Sequence, residues 1–210
     1  MRCTAYADDS KEETMSKARN RRMSTGTLVL GAILTALVII LQCMGQFIRF
    51  GPFSISLVLI PIVIGAVTCG PMVGAWLGFV FGMVVLFTDA GVFLAISVPG
   101  TIVTVMAKGI ACGLTAGLVC RLAEKKSRYL AVVSAAVICP IVNTGIFLIG
   151  CLLFFFETVQ GWGAAGGYGN TFAYMILGLV GANFLFEMAS NIILSPVIVR
   201  ILEAAKRVRR

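Results

Sequence analysis

The ionisable side chains deepest in the apolar stretches are Lys108, within 101–122, and Glu187, within 171–201. A charge in hydrocarbon is costly unless it is paired or faces a polar cavity. A lysine stem spans several ångströms of depth, so the two groups could pair and lock their helices together. They could equally contact a ligand, or snorkel towards an interface. Asn143 lies midway along a third apolar stretch, three residues after Pro140, and Asn183 and Asn191 lie within a turn or two of Glu187. An asparagine in a bilayer serves as interhelical glue or lines a pocket, and a proline-loosened backbone favours the second use for Asn143. Arg49, Asp89 and Asn170 fall on or near connections, with Trp162, Tyr168 and Tyr174 close to the last of them. Arg49 could attract a carboxylate or phosphate. The aromatics could form an interfacial belt, or close over a flat ring.

Other chemistries lack their residues. The 210-residue chain has no histidine, and its seven cysteines show no CxxC spacing, so no metal or cofactor is expected and no catalytic residue is assigned. Six of the cysteines lie in or beside apolar runs, where the thiol behaves as a small hydrophobe. There is no GxxxxGK[ST] loop for nucleotide phosphates, no run of paired carboxylates for a catalytic metal, no arginine-rich voltage-sensing span and no clear two-fold internal repeat. An intramembrane enzyme is disfavoured, because no nucleophile is spaced from a base.

The elements that must position these groups are membrane helices. Hydrophobic residues make up 59% of the chain and charged ones 12%, with a mean hydropathy of +1.00. No soluble domain of this size keeps so few charges. Runs near 20 residues cross a bilayer core of about 30 Å. Six fit: 27–44, a shorter one at 55–68 bent near Pro61, one from the Cys69-Gly70-Pro71 turn to Phe87, then 101–122, 129–156 kinked at Pro140, and 171–201. After the connection Thr88-Asp89-Ala90-Gly91, the chain to Gly100 reads as an apolar, re-entrant piece, and 157–170 as a glycine-rich loop. The expected class is all-α, a polytopic bundle over 25–210 preceded by a disordered cytoplasmic tail at 1–24, within which Met15 would serve as a translation start.

The third span carries glycine every fourth residue, at Gly70, Gly74, Gly78 and Gly82, and the fourth repeats the pattern at Gly109, Gly113 and Gly117. Such ladders let helix backbones approach closely in lipid. Trp76, Phe79 and Phe81 are read as the opposite, bulky face. The net charge of +8 lies beside the apolar runs, which suits anionic headgroups rather than nucleic acid. Arg19, Arg21 and Arg22, then Arg121, Lys125, Lys126 and Arg128, then the basic C-terminus fall on one side of six spans, so both termini are expected in the cytoplasm of a cell-membrane protein.

The first span also carries Ala32-Ile33-Leu34-Thr35-Ala36, a small-residue pair that leaves a flat patch for another helix. With Ile60-Pro61, Gly70-Pro71, Gly74 and the segment from Pro140 to Thr144, the region 27–210 resembles the substrate-capture S component of energy-coupling factor (ECF) vitamin transporters. The resemblance implies a six-span subunit that binds a vitamin from outside and docks through Ala32 and Ala36 on a transmembrane T component served by two cytoplasmic ATPases. It places the pocket near the outer face, around Arg49, Asp89, Lys108, Asn143, Asn170, Tyr174, Asn183 and Glu187. Overall texture, including Phe53-Ser54-Ile55-Ser56-Leu57, is most similar to the pantothenate-type branch, with Arg49 or Lys108 taking the carboxylate. Riboflavin, folate and a queuosine precursor stay open, as does a membrane assembly protein without a small ligand.

Overall fold

A computed structural model of the chain describes residues 25–45, 49–50, 53–54 and 57–208, with side chains described at 25–45 and 57–200. The expected tail at 1–24 lies outside the described residues. Contacts divide the chain into Met1–Leu30 and Gly31–Arg210. The described residues of the first unit, 25–30, are helical. The second unit holds the helix bundle.

The elements are α1 (Thr25–Gly45), β1 (Arg49–Phe50), β2 (Phe53–Ser54), α2 (Leu59–Cys69), α3 (Pro71–Thr88), α4 (Gly91–Ile96), α5 (Val98–Glu124), α6 (Arg128–Phe154), α7 (Phe156–Ala165), α8 (Thr171–Ala173), a π-helical stretch (Tyr174–Gly181) and α9 (Ala182–Val208). Among the described residues the all-α expectation is modified by β1 and β2, which pair antiparallel with Arg49 opposite Ser54. Gly51 and Pro52 separate them in sequence. Among the described residues, five helical stretches are long and apolar enough to cross a membrane: Thr25–Gly45, Pro71–Thr88, Val98–Glu124, Arg128–Phe154 and Thr171–Arg200. The expected span at 55–68 is represented by α2, whose 11 residues cover only about 17 Å.

Between α2 and α3 the chain reverses at Gly70, where φ is 98°. A side chain there would be strained, and its Cβ would also stand 2.9 Å from the Arg121 guanidinium. Pro71 then opens α3, where a missing N–H costs nothing.

The two glycine ladders meet. A Cβ on Gly74 would collide with the Gly113 carbonyl oxygen, one on Gly78 with that of Gly109, and one on Gly117 would lie 2.5 Å from Pro71 Cα. Gly82 faces the Val105 carbonyl, at 3.1 Å from the same hypothetical atom. The pairing runs in opposite senses along the two helices, so α3 and α5 lie antiparallel with backbone on backbone. Gly150 of α6 instead makes room for a side chain of α5, since an added Cβ there would collide with the Thr104 side chain.

Three expectations are corrected. Phe81 is not on the outer face: it is 1% exposed, while Trp76 is 55% exposed. Phe81 lies four residues beyond Leu77 and three beyond Gly78, which places it on the buried face. The fourth span begins at Val98 rather than near residue 101. Extended Ser97 caps it, its Oγ accepting from Gly100 N at 3.3 Å, and the preceding re-entrant piece is the six-residue helix α4. The glycine-rich loop is largely the helix α7: Glu157 sits in its first turn, Val159 and Gly163 bury one face, and irregular chain resumes after Ala165.

Candidate functional site

Beyond the last close approach of α3 and α5, the facing residues become Val85 and Asp89 on one side and Thr101 and Thr104 on the other, and a chamber opens. The centre of a water-sized sphere can roam about 70 Å³ of it, and the empty space between its walls comes to about 740 Å³ when the open solvent at its mouth is included. Gln42 of α1, Phe93 of α4, Asn143 and Phe147 of α6, Phe155, Val180 of the π-helical stretch, and Asn183 and Glu187 of α9 complete the wall together with Phe81 and Lys108. Its aromatic side is a continuous cluster: Phe93 meets Phe147 edge-on at 5.6 Å, Phe155 at 5.0 Å and Trp162 at 5.8 Å.

Lys108 sits one residue before the ladder glycine Gly109, which fixes its height and direction. Its ammonium lies 5.5 Å from the Phe81 ring centre and 5.4 Å from that of Phe147. Two ring faces are attractive neighbours for a cation that has left water. Glu187 and Asp89 add their fields at longer range. Among the described residues Lys108 and Glu187 are not joined as an ion pair.

Glu187 is 2% exposed. One of its oxygens accepts a 3.0 Å hydrogen bond from Asn183 Nδ2, one turn earlier on α9. Asn143, 6% exposed, lies near the same carboxylate. The remaining polar atoms have no partner within the protein: Glu187 Oε2, Asn143 Oδ1, Asn183 Oδ1 and Thr104 Oγ1. Four such atoms around one chamber depart from the general rule that buried polar groups are satisfied. Asp89 is held differently, since Gln42 Nε2 donates to its Oδ2 at 2.6 Å. Gln42→Leu therefore removes a charge-assisted bond from a buried position and should lower the melting temperature, at a cost of about 1.5–3 kcal/mol; an unchanged thermal scan would refute this.

Of the residues singled out from sequence, Asp89, Lys108, Asn143, Asn183 and Glu187 come together around this chamber. Asn170 does not: its Oδ1 caps α8 by accepting from Phe172 N at 2.9 Å. Tyr174 stacks edge-on with Tyr168 at 5.3 Å and rests against Gly163, outside the chamber wall. The Arg49 side chain lies outside the described residues. Asn191 is buried with both amide atoms unpartnered, but does not line the chamber. Ala32 and Ala36 are exposed on one side of α1. Sequence reasoning missed Gln42, Phe81, Phe93, Thr101, Thr104, Phe147 and Phe155. Gln42 alone left a signal, as an amide in an apolar span.

Membrane-length helices around a polar, partly unsatisfied chamber define a multi-pass membrane protein. The chain belongs to the family described as ECF transporter, substrate-specific component, which matches residues 26–199. Neither a curated protein nor a solved structure matches it. The family is one of substrate-binding transporter subunits, not of enzymes.

Proposed function

We propose that this subunit captures a vitamin-sized nutrient in the chamber and delivers it through a T component driven by two ATPases. The observation that carries the reading is the chamber wall, where Lys108 lies between two aromatic rings and faces unsatisfied polar groups on α6 and α9. A ligand that brings the missing partners gains hydrogen bonds whose desolvation the protein has already met.

The chamber opens to the outside, with six spans and both termini in the cytoplasm. Charge supports this orientation. The basic turn around Lys125 and Lys126 lies at the far end of α5, about 24 Å along the helix from Lys108. Pantothenate is the favoured substrate: Lys108 takes its carboxylate, while its hydroxyls and amide meet Asn143, Asn183 and Glu187.

Ala32 and Ala36 form the docking patch for the T component. Their exposure one turn apart on α1 leaves room for a second helix to approach closely. Ala32→Trp and Ala36→Trp should abolish co-purification of the T component and ATPases while leaving ligand binding by the isolated subunit intact. Undiminished co-purification by both variants would refute the docking role.

A further inference from the structure

Three of the four unsatisfied atoms of the chamber share one polarity. Glu187 Oε2, Asn143 Oδ1 and Asn183 Oδ1 are acceptors, and Thr104 Oγ1 can accept as well. The amide orientation of Asn183 follows from chemistry. The atom it places 3.0 Å from Glu187 Oε1 must be its nitrogen, because two oxygens there would repel. Its oxygen is therefore the one left over. Asn143 stands beside the same carboxylate, and its oxygen too is without a partner within the protein. The chamber thus has two unlike poles: a donating one at Lys108 on α5, and an accepting one where α6 meets α9.

We infer that the substrate carries a cluster of hydrogen-bond donors at one end and places it on Glu187, with Asn143 and Asn183 accepting from neighbouring N–H or O–H groups. This rests on the capture role proposed above and narrows its substrate class. The ligand is a small molecule with hydroxyl, amide or amino hydrogens grouped at one end and an anionic or acceptor group at the other, facing Lys108. The Phe81, Phe93 and Phe147 rings bound the space between. A compound whose only polar group is a carboxylate or phosphate leaves the accepting pole unmet and is rejected, because a site built around hydrogen bonds discriminates strongly against ligands that cannot make them.

The test measures binding by calorimetry to the purified full chain in detergent, using pantothenate, riboflavin, folate, thiamine and biotin as probes. The tightest binder is then titrated into Glu187→Gln, which keeps the side-chain size but replaces an accepting oxygen with a donating amide. Affinity should fall about 10- to 100-fold. In parallel, an analogue of the same compound with its donor hydrogens replaced by methyl groups is titrated into the unaltered protein, where a similar loss is expected. This second arm decides the matter if Glu187→Gln does not fold. Unchanged affinity in both arms would mean that water alone serves the carboxylate; the capture role would survive and the donor-end assignment would be overturned. Binding by none of the five probes would overturn the vitamin-capture reading and this inference with it.

Discussion

Gly78→Ala should destabilise the protein by about 3 kcal/mol, and Gly78→Leu should leave no folded protein to purify. The added Cβ has nowhere to go, because it would meet the carbonyl group of Gly109 rather than the end of a movable side chain. Relief requires α3 and α5 to separate, and their glycine contacts run from Pro71 against Gly117 up to Gly82 against Val105. Separation forfeits the close van der Waals contact that holds membrane helices together, where no hydrophobic effect between helices replaces it. The control is Gly145→Ala, in α6, where an added Cβ meets nothing within 4 Å. That change should be neutral or slightly stabilising, since alanine is the better helix former by roughly 1 kcal/mol. Thermal unfolding of the two variants in one detergent checks the contrast. Equal melting temperatures would remove the ladder from the account of the fold.

Lys108→Met should weaken ligand binding by about 100-fold without lowering the melting temperature of the ligand-free protein. Methionine keeps the apolar stem between the Phe81 and Phe147 rings and deletes the charge. Removing one partner of a buried, hydrogen-bonded charge pair costs about 2–5 kcal/mol of affinity. The apo protein gives up little, because Lys108 is not ion-paired with Glu187 and a buried cation carries a desolvation penalty. A structural lock between two helices predicts the reverse pattern, with lower thermal stability and unchanged binding. Calorimetry and a thermal scan on the same sample separate the two.

The parts of the fold legible in sequence were those set by spacing alone. The glycine period marked α3 and α5 as helices that admit a close backbone approach, without showing that they pair with each other, and the Gly70-Pro71 pair exposed the turn before α3. Interruptions governed by a single capping residue were not legible. Ser97 moves the start of α5, and the run from Phe156 to Ala165 continues as a helix despite glycines at 161 and 163. The ionisable groups in the chamber stood out because charge in an apolar run is conspicuous. Its aromatic wall did not, since Phe93, Phe147 and Phe155 look like any other phenylalanine in a membrane helix until the fold gathers them. Phe81 was misplaced because the ladder was read as one narrow face. A helix buried against more than one neighbour hides a broader arc, and Leu77, Phe81 and Val85 lie within it. Asn170 and Tyr174 lie near a connection in sequence, and nearness alone does not distinguish capping a helix from facing a ligand.

The chamber as a nutrient site is tested most directly by native mass spectrometry of the full chain, purified in mild detergent from cells grown on rich medium. The account predicts one small molecule per chain, with donor hydrogens and an anionic or acceptor group, released on denaturation and absent from Lys108→Met. A chain that carries lipid alone, or an adduct retained unchanged by Lys108→Met, would contradict it.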